Sequence, residues 1–190
     1  MTVSINGSGT ITGATTLAST IASPTMTGAV VSAMGSSVIT AGTAVASTSG
    51  TSIDFTSIPS WVKRITVMFN GVSTNGTSAV IVQLGAGSVE TTSYLATQGI
   101  IITATPATAA YTTGFPVGGT DVANTRSGQM IMTLLGSNAW ISSAVIKGGT
   151  GTMAYSAGDK TLSGTLDRVR ITTVNGTDTF DAGSINILYE

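Results

Sequence analysis

Residues 60–72 read Ser-Trp-Val-Lys-Arg-Ile-Thr-Val-Met-Phe-Asn-Gly-Val, and this stretch decides the fold. Trp61, Ile65, Val67 and Phe69 fall at alternate positions, with Arg64, Thr66, Met68 and Asn70 between them. A period of two carried by β-branched and aromatic residues marks a strand with one face in a core. Lys63 falls on the apolar side near the strand's end, where a long stem reaches water. Asn75-Gly76 follows, then residues 79–84 with Val80, Val82 and Leu84 alternating. Strand, Asn-Gly loop and strand together predict a β-hairpin.

The same texture continues to the end of the chain. Residues 91–95 and 100–103 read as strands, and Pro106, Gly114 and Pro116 punctuate a loop-rich middle. Residues 128–135 carry Met130, Met132 and Leu134 at one parity and Ile131 and Leu135 at the other. Apolar residues at both parities predict a central strand. Residues 139–147 follow, turning at Gly148-Gly149-Thr150-Gly151 into residues 152–156. Residues 166–174 place Val169 and Ile171 inward and Arg168 and Arg170 outward; Asn175-Gly176 then turns the chain. The last strand, 184–190, aligns Ile185, Ile187 and Tyr189. Short strands with regular turn signals predict an all-β, antiparallel β-sandwich of jelly-roll type over residues 51–190. With about 1.5–3 kcal/mol from each buried Ile, Val, Phe or Met, this head is large enough to fold by itself.

Upstream the composition changes. Residues 1–53 contain no Asp, Glu, Lys or Arg and no Phe, Trp or Tyr. Ser, Thr, Gly and Ala with isolated aliphatics bury too little surface to offset ordering entropy. Residues 1–50 therefore read as an extended arm that depends on a partner or on self-association, with 41–51 as a small-residue linker. Ile5, Ile11 and Leu17 recur every six residues. Two readings stay open for them: coincidence in a biased segment, or a strand-and-turn ladder completing a neighbouring subunit's sheet. Ser23-Pro24 has the form of a helix start and Gly35 of a stop, with Met26, Val30 and Met34 on one face. Thr25, Thr27, Gly28 and the Val residues oppose that short helix.

The 190 residues carry seven basic and eight acidic side chains, a net charge of −1. Charged residues are 8% of the chain, which leaves little electrostatic protection against self-association. No basic field exists to attract nucleic acid, and no run of apolar residues is long enough to span a membrane. The start, Met1-Thr2-Val3-Ser4, lacks the charged and apolar regions of a signal peptide. No Cys and no His means no disulfide, no thiolate or imidazole ligand and no Ser-His triad. No cofactor and no metal site is expected. The acids Asp54, Glu90, Asp121, Asp159, Asp167, Asp178 and Asp181 lie mainly beside turn and strand-end sequence, where a carboxylate serves the local backbone. A glycosidase pair drawn from them, or a Ca²⁺ shared by Asp178 and Asp181, is the weaker reading. Trp140, Tyr94, Tyr111 and Tyr155 read as core or subunit-seam residues before they read as a sugar-stacking platform.

Two stretches carry a resemblance. Residues 51–73, Thr-Ser-Ile-Asp-Phe-Thr-Ser-Ile-Pro-Ser-Trp-Val-Lys-Arg-Ile-Thr-Val-Met-Phe-Asn-Gly-Val-Ser, and the ending Gly183-Ser-Ile-Asn-Ile-Leu-Tyr-Glu190 resemble the β-rich head of bacteriophage tail-fibre and virion structural proteins. The resemblance covers roughly residues 48–190 and brings no catalytic residue with it. It implies a non-enzymatic component of the phage particle, assembled in the bacterial cytoplasm. The expected state is a homotrimer whose arm (Ile5, Ile11, Leu17, Met26, Val30, Met34) joins other virion proteins, with a head turned toward a bacterial surface polysaccharide. The alternative is a head or neck decoration protein without a receptor role; a polysaccharide depolymerase is the remote third.

Overall fold

A computed structural model describes residues 39–101, 106–118, 124–149 and 151–190. Among these described residues all regular structure is strand. In chain order the strands are β1 (Thr40–Ala41), β2 (Val45–Ala46), β3 (Ser52–Thr56), β4 (Arg64–Thr74), β5 (Val80–Ala86), β6 (Ser88–Val89) and β7 (Leu95–Ile101). They continue with β8 (Ala107–Tyr111), β9 (Phe115–Pro116), β10 (Arg126–Gly136), β11 (Ala139–Gly148), β12 (Met153–Thr161), β13 (Arg168–Thr173) and β14 (Phe180–Tyr189).

The strands form two antiparallel sheets. The larger runs β1–β14–β4–β10–β11–β12–β7–β8, with β2 also on β14; the smaller runs β3–β13–β5–β6, with β9 also on β5. Their inward faces share one core. Ile65, Val67, Phe69, Met130, Met132, Trp140, Ile146, Ile185 and Ile187 come from the large sheet; Ile53, Phe55, Val80, Val82, Leu84, Val169 and Ile171 come from the small one. The alternation read in residues 60–72 and 166–174 is therefore the alternation of the fold, an all-β antiparallel sandwich.

The expected hairpin does not form. β4 pairs with β14 and β10, whereas β5 pairs with β13, so the Asn75-Gly76 loop carries the chain from one sheet to the other. The Asn175-Gly176 loop makes the return crossing from β13 to β14. The two crossings are tied together. Asn75 N–H donates to the Thr179 carbonyl (2.9 Å) and Thr179 N–H to Asn75 Oδ1 (2.8 Å), while Ser78 N–H donates to Asp178 Oδ2 (2.9 Å). An Asn-Gly step specifies a turn, and these cross-loop bonds decide that the turn changes sheet. A two-residue hairpin does form at Ser137-Asn138, where both φ values are positive (47° and 61°), the geometry that suits the twist of the flanking β10 and β11.

The segment expected to be a linker is also built into the sheet. β1 and β2 pair with β14, Gly42 N–H donates to the Ile187 carbonyl (2.8 Å), and Ser47 N–H donates to the Gly183 carbonyl (2.9 Å). Ser47 is fully buried and its Oγ donates to the Ala182 carbonyl (2.8 Å). The sandwich thus begins N-terminal to residue 51, at β1. β10 is central in its sheet as expected, but Met130 and Met132 are buried while Leu135 is 75% exposed: only one side of the strand is covered.

β4 and β14 kink together. Gly71 (φ 64°) and Gly183 (φ 93°) lie at an irregularity in their register, and a Cβ on Gly183 would stand 2.5 Å from the Gly71 carbonyl carbon. Gly183→Ala combines that clash with a strained backbone and should cost about 1–3 kcal/mol. Phe69→Ala should cost about 3–5 kcal/mol through the cavity it leaves. Urea unfolding at fixed protein concentration, followed by circular dichroism, checks both; a Gly183→Ala chain as stable as wild type would show that this approach is not constrained.

Candidate functional site

Of the acidic residues named from the sequence, Asp54, Glu90, Asp167, Asp178 and Asp181 are held separately, each by its own neighbours. Asp54 on β3 receives both Arg170 Nε (2.7 Å) and Nη2 (2.8 Å) from β13. Asp167 is bridged by the adjacent Arg168 (2.7 and 3.0 Å) and accepts from Gly87 N–H (3.1 Å). Asp178 accepts from Asn175 Nδ2 (2.6 Å) and Ser78 N–H, while Asp181 accepts from Ser73 Oγ. Asp178 and Asp181 thus serve different partners, and no group of three or more metal-ligating side chains gathers among the described residues. Asp159 lies on β12 opposite Ile141 and Leu95. Asp121 lies outside the described residues.

A polar cluster built around an inward lysine surrounds Glu90. Lys160, on the inward side of β12 and only 4% exposed, places Nζ 2.7 Å from Glu90 Oε2. Ser163 donates to Glu90 Oε1 from its backbone N–H (2.8 Å) and its Oγ (2.7 Å). The Lys160 ammonium also sits 5.4 Å from the centre of the Tyr94 ring. Tyr94 is fully buried; its OH accepts from Leu84 N–H (2.7 Å) and donates to the Glu90 carbonyl (3.0 Å). Burial alone would raise the Glu90 carboxyl, but Lys160 and the two bonds from Ser163 outweigh it and hold the group below the usual carboxylate range. Burial pushes the Tyr94 phenol well above its ordinary value. Hydroxyl and amine both bond the same ionised carboxylate, so this arrangement locks the β6–β7 connection to β12.

The aromatic candidates separate cleanly. Trp140 and Tyr94 belong to the core, Tyr111 packs against it, and Tyr155 is 49% exposed on the outward face of the large sheet. Trp61, aligned with the inward residues by sequence, precedes the first residue of β4 and escapes its alternation. It lies partly exposed beside Tyr189, with ring centres 5.9 Å apart. The arm residues Ile5, Ile11, Leu17, Met26, Val30 and Met34 lie outside the described residues.

Among the described residues, two surfaces stand out as candidates for recognition. The small sheet carries a groove of about 360 Å³ lined by neutral hydrogen-bonding groups, among them Thr51, Gln83, Thr113, Thr172 and Asn175, with Arg170 at its side. The large sheet turns outward a face containing Leu95, Ile141, Val145, Met153 and Tyr155, all exposed. Sequence reading missed this face; the doubly apolar β10 was its one signal. Comparison with protein-family models, with curated proteins and with solved structures finds no match to this chain.

Removing the Glu90 charge leaves Lys160 buried without its anion. Glu90→Gln should cost about 1–3 kcal/mol, less than the penalty for a fully buried pair because Glu90 is partly exposed. Because the folded carboxyl is depressed, its contribution is present above the ordinary Glu value of about 4.3 and is lost as pH falls below it. The gap between wild type and Glu90→Gln in thermal melts should therefore be wide at neutral pH and narrow in acid. A gap independent of pH would refute the pairing as the source.

Proposed function

We propose that this chain is a non-enzymatic structural component of a phage virion, tail-fibre-like and homotrimeric. In this reading the N-terminal arm joins it to other virion proteins, and the head projects toward a bacterial surface polysaccharide. The observation that carries the proposal is a division of chemistry along the chain. Residues 1–53 hold no charge and no aromatic ring, whereas the sandwich that begins at β1 has a self-contained core and engages its acids in local pairs and turns. Such a chain has the parts of an anchored module: a segment that needs a partner for its order and a head that does not. The resemblance of residues 51–73 and 183–190 to virion structural proteins supports the same reading. The hydroxyl- and amide-lined groove of the small sheet suits the neutral polar surface of a saccharide, and the engaged carboxylates favour binding over hydrolysis.

The test follows from the start of the sheet. A chain lacking residues 1–38 keeps β1 and β2. It should give a soluble, cooperatively melting β protein that is absent from assembled particles, while the full-length chain is incorporated at the tail. Incorporation of the truncated chain would place attachment in the head and turn the reading to a decoration protein. Incubation with host capsule or lipopolysaccharide should release no new reducing ends; turnover abolished by replacing a single Asp would overturn the non-enzymatic reading.

A further inference from the structure

The two outward faces of the sandwich differ in chemistry. The small sheet turns out Asp54, Arg168 and Arg170, with Asp167 beside them. Across the large sheet, the registers bring outward residues into rows. One row runs Leu188, Thr66, Ile131, Ser143, Ala157 and Thr97. The next runs Asn186, Met68, Gln129, Val145, Tyr155 and Gly99. Neither row holds a charge. Arg64, paired with Glu190, and Asp159 stand in or beside the flanking row, and Lys147 stands toward the other end. Val145 is 60% exposed, Leu95 is 68% exposed, and the Tyr155 ring lies over Gly99, where a Cβ would meet it at 2.5 Å. A shallow trough of about 100 Å³ between Gln129, Ile131, Ser143 and Val145 offers a seat for a facing side chain.

We infer that copies of this chain associate through the outward face of the large sheet, each face packed against the same faces of two neighbouring copies. An apolar centre with Met and Tyr, small residues that permit close approach, and charges confined to the margin are the anatomy of a protein interface. A second copy fits the charge pattern, because an uncharged centre facing its own like buries no unpaired ion. It also fits the area. Six strands about 4.8 Å apart, each contributing roughly eight residues at about 3.4 Å, present on the order of 650 Å² per copy. Three such faces turned toward one axis bury on the order of 2,000 Å² in the trimer, which as a whole exceeds the roughly 1,000 Å² that a specific interface needs. β10 gives the third argument: its sequence has apolar side chains for two covered faces, the small sheet covers one, and a neighbouring copy covers the other. This rests on the reading of the chain as a homotrimer, in which the three faces turn toward the axis.

The experiment uses the full-length chain. Light scattering should give the mass of three 18.9 kDa copies for wild type and of one copy for Val145→Asp, with the β circular dichroism spectrum retained because the side chain is exposed in the single chain. Val174→Asp, an exposed position outside this sheet, should leave the mass unchanged. The chain has no cysteine, so Ser143→Cys supplies a single thiol on the face. Maleimide labelling at that thiol should be about tenfold or more slower than at Thr56→Cys on the small sheet, since only opening of the assembly exposes it. A trimer that survives Val145→Asp with rapid labelling at Ser143→Cys would overturn this face and leave the multimeric virion reading standing. A monomeric wild type would overturn both.

Discussion

The pairing of β4 with β14 is the constraint on which the head depends. Ile65 stands opposite Tyr189 and Phe69 opposite Ile185, so the first long strand of the large sheet finds its partner at the far end of the described chain. Everything else is placed by that pair. β1 and β2 lie along the free side of β14, β10 takes the free side of β4, and the meander through β11 and β12 extends from β10. On the other layer, β5 and β13 pair as direct continuations of β4 and β14. Antiparallel pairing of two neighbouring strands in each sheet, joined by two crossings at the same end, fixes the sandwich from both sides. Contacts so distant in sequence require loop closure before they return any stabilisation, which makes a fold of this kind slow to form.

The parts legible in the sequence are those where side-chain period and burial coincide. Val169 and Ile171 between Arg168 and Arg170, or Ile65, Val67 and Phe69 between Arg64, Thr66 and Met68, announce both a strand and its buried face. Partner choice was not legible. Asn75-Gly76 and Asn175-Gly176 carry the same turn signal whether the next strand pairs or crosses, and the outcome rests on bonds between residues about a hundred positions apart. The two-residue strands β1 and β2 were invisible for another reason: Thr40, Ala41, Val45 and Ala46 have no periodicity to read, and their place is set by the edge of β14. The Glu90 cluster was equally hidden, because Lys160 and Ser163 lie far along the chain from the carboxylate they bond.

Scarcity of charge shapes the surface as much as the core. Four of the described acids are fixed by a cation and two more by the loops and strand ends beside β13 and β14. Paired charges of this kind contribute little individually when exposed, but they settle where polar surface lies. On the small sheet they lie across the outward face; on the large sheet they stay at its margin. Evenly distributed charges would have protected both faces from association.

The contrast between β10 and β13 gives that asymmetry its physical meaning. Both are internal strands with neighbours on either side, and both bury one set of apolar residues in the shared core. On the opposite face, β13 presents Arg168 and Arg170, each held by an acid, whereas β10 presents Gln129, Ile131 and Thr133. The β13 pattern is that of a face meant for water. The β10 pattern continues sideways through Met68, Val145 and Tyr155 on three further strands, so it is a property of the sheet and not of one residue. Isolated apolar side chains on a surface require no explanation, but uncharged rows that carry apolar side chains across strand after strand at matching register do. The proposed association of copies rests on this difference between the outward sides of the two sheets.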